Sequence, residues 1–130
     1  MDLFPTFAEF AGATLPDGIE GKSLVPIIVG KERKVRDLCY TGYRDCQRAV
    51  RDQRWKLIRY PLVNQTQLFD LQRDPHELTN LATRPESAAK VAEMTALLAK
   101  EMAHNGDTAP LEVANPKPAA WTPPAGNKAK

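Results

Sequence analysis

The stretch QRAVRDQRWKLIRY, residues 47–60, carries the strongest structural signal in the chain. Its two halves, residues 47–51 and 55–60, are rich in strand formers, and Asp52, Gln53 and Arg54 between them make a tight connection. The segment therefore predicts an antiparallel hairpin. In its second strand Trp55, Leu57 and Arg59 face one side of the sheet, and Lys56, Ile58 and Tyr60 the other. Working outward, residues 38–43 form a strand before the hairpin, residues 61–66 a turn region, and residues 67–71 another short strand. The result is a small antiparallel sheet of three to four strands.

Beyond the sheet, Asp74-Pro75 opens a turn, with Glu77 at capping-box-like spacing from Asp74. Pro85 then starts a long helix to about Asn105, stopped by Gly106. Ala88, Val91, Met94, Leu98 and Met102 form its apolar stripe, so one face must be buried. Laying that helix across one face of the sheet gives an α+β unit. Residues 107–130 are proline-rich and lack apolar periodicity, and are expected to lie extended on a surface or to stay mobile.

The N-terminal side differs. Residues 1–13 read as a helix, with Leu3, Phe4, Phe7, Phe10 and Ala11 at helical spacing. Asp2 is placed to cap it, Pro5 is tolerated in the first turn, and Gly12 can close it. Three phenylalanines on so short a helix need a partner surface, which suggests that something upstream belongs with it. Residues 14–22 form a loop, Ser23 caps a short apolar turn ended by Gly30, and residues 31–36 make a charged link.

The chain has 130 residues, net charge +2 and 42% hydrophobic residues, values ordinary for a single globular domain. So weak a positive balance does not predict nucleic acid or a membrane as a partner. No apolar run is long enough to span a bilayer, and residues 1–5 show no secretory pattern. Cys39 and Cys46 make a poor disulfide framework and pair only if a hairpin brings them together. His76 and His104 lie too far from them for a metal site, and read as a surface histidine and a residue at a helix C-terminus. Ser23 is not in a nucleophile elbow, and no phosphate loop, His-Glu-x-x-His or Cys-x-x-Cys occurs.

The feature closest to chemistry is cationic. Arg44, Arg48, Arg51, Arg54 and Arg59 lie close together among Tyr43, Trp55 and Tyr60. Guanidinium forks suit sulfate, phosphate or carboxylate. One reading makes these arginines solvated strand edges and ion-pair partners of Asp45, Asp52 and Asp70. The other sets one or two of Tyr43, Arg44 and Arg48 at an anionic ligand.

Four blocks, in order, resemble the sulfatase family of the alkaline phosphatase superfamily. DLFPTFAEFAG (residues 2–12) resembles the D-x-x-P-T-x-x-x-x-A-G helix that closes the large sulfatase domain. GIEGKSLVPIIVG (18–30) is similar to G-x-x-G-x-S-L-x-P-L-L-x-G, and RAVRDQRWKLIRY (48–60) to R-x-V-R-x-x-R-[YW]-K-L-I. QLFDLQRDPHELTNLA (67–82) resembles x-L-[YF]-D-L-x-x-D-P-x-E-x-x-N-L. The resemblance implies that residues 1–30 end a large α/β domain missing from this chain, residues 31–106 form the small C-terminal α+β domain, and residues 107–130 are its tail.

It further implies a parent that hydrolyses a sulfated carbohydrate or other sulfate ester, using calcium and a formylglycine made in a [CS]-x-P-x-R motif. Neither Cys39 nor Cys46 stands in such a motif, and no paired metal-binding residues are present. No cofactor and no catalytic residue are therefore expected in this chain. What carries over is a supporting role, with Tyr43, Arg44, Asp45 and Arg48 edging the substrate pocket and the absent N-terminal domain as partner. The alternatives are a stand-alone module that binds sulfated glycans, or a fragment of a related phosphodiesterase or phosphonate hydrolase.

Overall fold

The computed structural model describes residues 1–120. The chain divides into two compact units, Met1–Asp37 and Leu38–Lys130.

In the first unit, α1 (Leu3–Phe10) and α2 (Val25–Ile28) are joined by a long loop. Asp2 precedes α1 but makes no side-chain cap. Its carboxylate instead accepts the Lys22 N–H at 3.1 Å and the Arg36 guanidinium at 2.6 Å, and both partners, Arg36 foremost, hold it below its ordinary pKa. Thr6 completes the tie. Its hydroxyl donates to the Asp2 carbonyl and accepts the Leu24 N–H at 2.9 Å, securing α1 to the start of α2. The loop must pass very close to the N-terminus here, since a Cβ on Gly21 would stand 2.4 Å from the Met1 carbonyl oxygen. α1 buries Pro5, Thr6 and Ala8. Phe4, Phe7 and Phe10 are 55%, 66% and 59% exposed, so they find no full partner surface among the described residues.

The second unit is a four-stranded antiparallel meander packed by a helix: β1 (Cys39–Tyr43), β2 (Gln47–Arg51), β3 (Trp55–Tyr60), β4 (Gln65–Asp70) and α3 (Ala88–His104), with strands in sequence order. The predicted hairpin is present. The Asp52 carboxylate accepts the N–H groups of Arg54 and Trp55 at 2.7 and 2.6 Å, which sets the turn by a local side-chain bond. β4 begins two residues earlier than its composition suggested. Asn64, at φ +47, reverses the chain after a 3-10 turn at Pro61–Val63.

Val50, Leu57 and Leu68 meet Met94, Leu98 and Met102 of α3 in the main core, with Trp55 and Val91 packed alongside. Ala49, Ile58 and Phe69 are buried on the other side of the pleat, as the alternation required. Two local expectations are corrected. Ala88 is exposed, because the helix proper starts there after a 3-10 turn at Pro85–Ser87 and the buried stripe engages only further on. Glu77 forms no capping box: at φ +57 it turns away, and its carboxylate takes the Lys56 ammonium at 2.6 Å while Asp74 accepts the Thr79 N–H.

The described part of the tail lies on this unit. Ala109 and Leu111 pack against the main core, Asn64 exchanges two side-chain bonds with the Val113 backbone, and the Lys117 N–H donates to the Leu62 carbonyl. Residues 121–130, the remainder of the expected tail, lie outside the described residues.

Leu98, fully buried, is the test of this core. Leu98→Ala is expected to cost about 2–5 kcal/mol in urea unfolding, whereas Ala88→Ser should stay within about 0.5 kcal/mol.

Candidate functional site

The β1–β2 turn collects three of the four residues singled out in the sequence. Tyr43 ends β1 and is 59% exposed; Arg44 and Asp45 follow it and are exposed. Arg44 stands at φ +48, a left-handed conformation that costs a non-glycine residue. Its guanidinium lies 5.6 Å from the centre of the Tyr43 ring. The turn closes through the Cys46 N–H, which donates to the Tyr43 carbonyl. A cation, a phenol and a carboxylate are thus presented together to solvent.

Arg48, the fourth, is placed differently. It is buried, and its guanidinium is committed inside the chain. Nε donates to Asp107 Oδ2 at 2.5 Å and Nη2 to Oδ1 at 3.4 Å. Nη1 donates to the Arg44 carbonyl at 2.5 Å and the Gln47 carbonyl at 2.9 Å. Arg48 therefore does not present its charge to solvent; it holds the carbonyl of the strained turn residue and so positions Arg44. The anion it recognises is the chain's own Asp107, 59 residues further on.

Asp107 is a point of convergence. Besides Arg48 it accepts the Tyr40 hydroxyl at 2.5 Å and the Ala109 N–H at 2.9 Å. These donors, Arg48 first and Tyr40 second, draw its pKa down to about 2. Burial, then the adjacent Asp107, pushes the Tyr40 phenol up to about 12. Gly42 makes room, since a Cβ there would stand 3.1 Å from the Tyr40 hydroxyl and 3.5 Å from Arg48 Cδ.

The remaining arginines divide in the same way. Arg59, the register partner of Arg48, donates to Thr66 Oγ1, to the Leu111 carbonyl at 2.9 Å and to Glu112 at 2.8 Å. Its buried Nε has no partner among the described residues. Arg54 forms a forked pair with Asp70, and Arg51 is exposed. The sequence could not show Asp107 and Glu112 as partners, because nothing local connects them to the strands. The available hint was the hairpin register itself, which sets Arg48 opposite Arg59 and so demands nearby anions.

Among the described residues no cluster of three or more His, Cys, Asp or Glu could hold a metal ion, and Cys39 and Cys46 are free thiols. These residues do not fit calcium or formylglycine. No described helix is long and apolar enough to cross a membrane.

A family model described as N-sulphoglucosamine sulphohydrolase, C-terminal, matches residues 1–104. The choline-sulfatase of Rhizobium meliloti (strain 1021) is 37% identical over 111 residues, a match covering 80% of this chain and 21% of that protein. A structure solved in complex with its substrate D-glucosamine-2-N,6-O-disulfate is 28% identical with a TM-score of 0.70, covering 85% of this chain and 25% of that one. The phosphonate monoester hydrolase of Agrobacterium radiobacter is 27% identical with a TM-score of 0.57, covering 79% and 24%. The chain thus spans about a fifth to a quarter of the length of these relatives.

The Asp107 cluster sets a pH window. Asp107 is more acidic in the fold than its ordinary 3.8, so its contribution is complete above that value and is lost as pH falls through about 2. Tyr40 is less acidic than its ordinary 10.0, so its contribution is complete below that value and is lost as pH rises through about 12. Asp107→Asn is expected to lower stability on the plateau between these limits by about 2–3 kcal/mol. It should also flatten part of the acid limb in urea melts across pH. Asp2, Asp70 and Asp74, whose pKa values are also lowered, keep the rest of that limb in place.

Proposed function

Because the chain belongs to the sulfatase family of the alkaline phosphatase superfamily, as its C-terminal domain, we propose that it completes the fold of a sulfuric ester hydrolase and edges that enzyme's substrate pocket. One observation carries this most: the C-terminal family model accounts for residues 1–104, while each relative is several times longer than the match. On this proposal the chain is the C-terminal piece of a longer protein and is not catalytically competent alone. Its partner is the N-terminal sulfatase domain, which would supply calcium and formylglycine. The exposed Leu3, Phe4, Phe7 and Phe10 of α1 offer that domain an apolar face, an arrangement a finished surface rarely leaves uncovered.

Tyr43, Arg44 and Asp45 are the side chains proposed to meet substrate. Arg44 brings a fork for a sulfate oxygen, Asp45 an acceptor for a hydroxyl, and Tyr43 an aromatic surface. Arg48 serves as the positioning residue beneath them, through its bond to the Arg44 carbonyl. The substrate class is a sulfated carbohydrate or another sulfate ester, in keeping with the relatives' choline sulfate and disulfated glucosamine names. The likeness to a phosphonate monoester hydrolase supports a second reading, in which the parent cleaves a phosphonate or phosphodiester.

Translating the reading frame upstream of the Met1 codon tests the proposal directly. A continuous frame carrying [CS]-x-P-x-R and paired metal-binding aspartates is expected; an adjacent stop codon with no catalytic domain encoded nearby would overturn it. In the complete enzyme, Arg44→Ala should raise KM for the sulfate ester about tenfold with kcat nearly unchanged. The 130-residue chain alone should not hydrolyse 4-nitrophenyl sulfate.

A further inference from the structure

A cleft of about 460 Å³ opens where β3 begins and β4 ends. Arg54, Arg73 and Arg84 line it, with Asp70, Asp74 and Glu86, so its formal charges cancel. The cancellation is uneven. The buried Asp70 carboxylate takes Nε and Nη2 of Arg54 at 3.1 and 2.8 Å and the Gln72 N–H at 3.2 Å. Asp74 caps its own turn through the Thr79 N–H at 2.8 Å. Two of the three carboxylates are thus consumed within the fold.

The cations are less fully used. Among the described residues the Arg84 side chain makes no hydrogen bond or ion pair, and neither does Glu86. Arg73, highly exposed, approaches Asp70 only at 3.9 Å. Arg54 is set in place on two sides, by the Asp70 fork and by the Trp55 ring, whose centre lies 4.9 Å from its guanidinium carbon. Its Nη1 makes no hydrogen bond among the described residues. The cleft therefore offers one fixed guanidinium edge and the guanidiniums of two exposed arginines against a single uncommitted carboxylate.

Guanidinium N–H donors suit an oxyanion such as a sulfate or phosphate monoester, and the volume suits a small ligand. We propose that this cleft binds a sugar sulfate or sugar phosphate monoester. Arg54 anchors the oxyanion, Arg73 and Arg84 close on it from the rim, and Glu86 accepts a hydroxyl of the sugar. This site shares no side chain with the β1–β2 turn and does not depend on the role proposed for that turn.

Trp55 provides the readout. The chain has two tryptophans, so Trp121→Phe leaves Trp55 as the sole reporter. That form of the full chain would be titrated with glucose 6-sulfate, glucose 6-phosphate and glucose at matched ionic strength. A saturable change in Trp55 emission with one or both esters, and none with glucose, is expected, and the tighter ester identifies the preferred oxyanion. Arg84→Gln should weaken binding about tenfold, and adding Arg73→Gln should weaken it further. Both residues lie on the exposed rim, and an unchanged circular dichroism melt confirms that the variants fold. An equal response to glucose, no response to either ester, or unaltered affinity in the double variant overturns the proposal. Any of these leaves the sulfatase reading standing, because the upstream frame tests that separately.

Discussion

Two arginines face each other across the central hairpin, and much of the second unit is arranged around them. Arg48 and Arg59 are register partners on the side of the sheet that α3 covers, and both are buried. Like charges directly opposite on neighbouring strands repel, and removing them from water adds to the cost. Neither strand carries the remedy. It comes from beyond α3, where Asp107 neutralises Arg48, and Glu112 with the Leu111 carbonyl engages Arg59. The path of the tail follows from this. Once Asp107 is held, Ala109 and Leu111 are brought onto the core, and Asn64 can exchange its two bonds with Val113. The family match ends at residue 104, so both carboxylates lie beyond the matched region.

The same arginine joins the interior to the surface. Arg48 binds Asp107 with one edge of its guanidinium and the Arg44 carbonyl with the other. Arg44 occupies a backbone conformation that L-residues seldom adopt, and the donated bond helps hold it there. The candidate site thus separates into exposed groups that can meet a ligand and a buried group that fixes their bearing. Mixing the two kinds of residue, as position in sequence alone encourages, hides this division.

What was legible in the sequence followed from local chemistry. β-Branched and aromatic residues marked β3, the tight turn at Asp52 marked its pairing with β2, alternation placed Leu57 and Ile58 on opposite faces, and the spacing of Met94, Leu98 and Met102 marked the buried stripe of α3. The four family blocks named the family and its C-terminal fold. What failed depended on distant partners. Asp2 looked like a helix cap but serves Lys22 and Arg36, because a carboxylate gains more from a guanidinium than from a marginal helix end. Glu77 looked like a capping-box residue but answers Lys56 across the chain. The tail looked featureless because its docking residues, Asp107, Ala109, Leu111 and Val113, alternate over only seven positions and include a carboxylate and an alanine, too little apolar contrast to mark a strand-like pattern. Arg48 was read as a group suited to an anion, and in the fold its guanidinium is committed to Asp107, which no local pattern announces.

The meander has a consequence for how the domain is made. Each strand pairs with its neighbour in sequence, so the ladder closes through short loops as the chain leaves the ribosome. The carboxylates that settle the two arginines are translated 59 and 53 residues later. During synthesis the sheet can therefore assemble before its central charges are answered. The hairpin's own charges are thus answered last, by residues made after both the sheet and the helix that covers it.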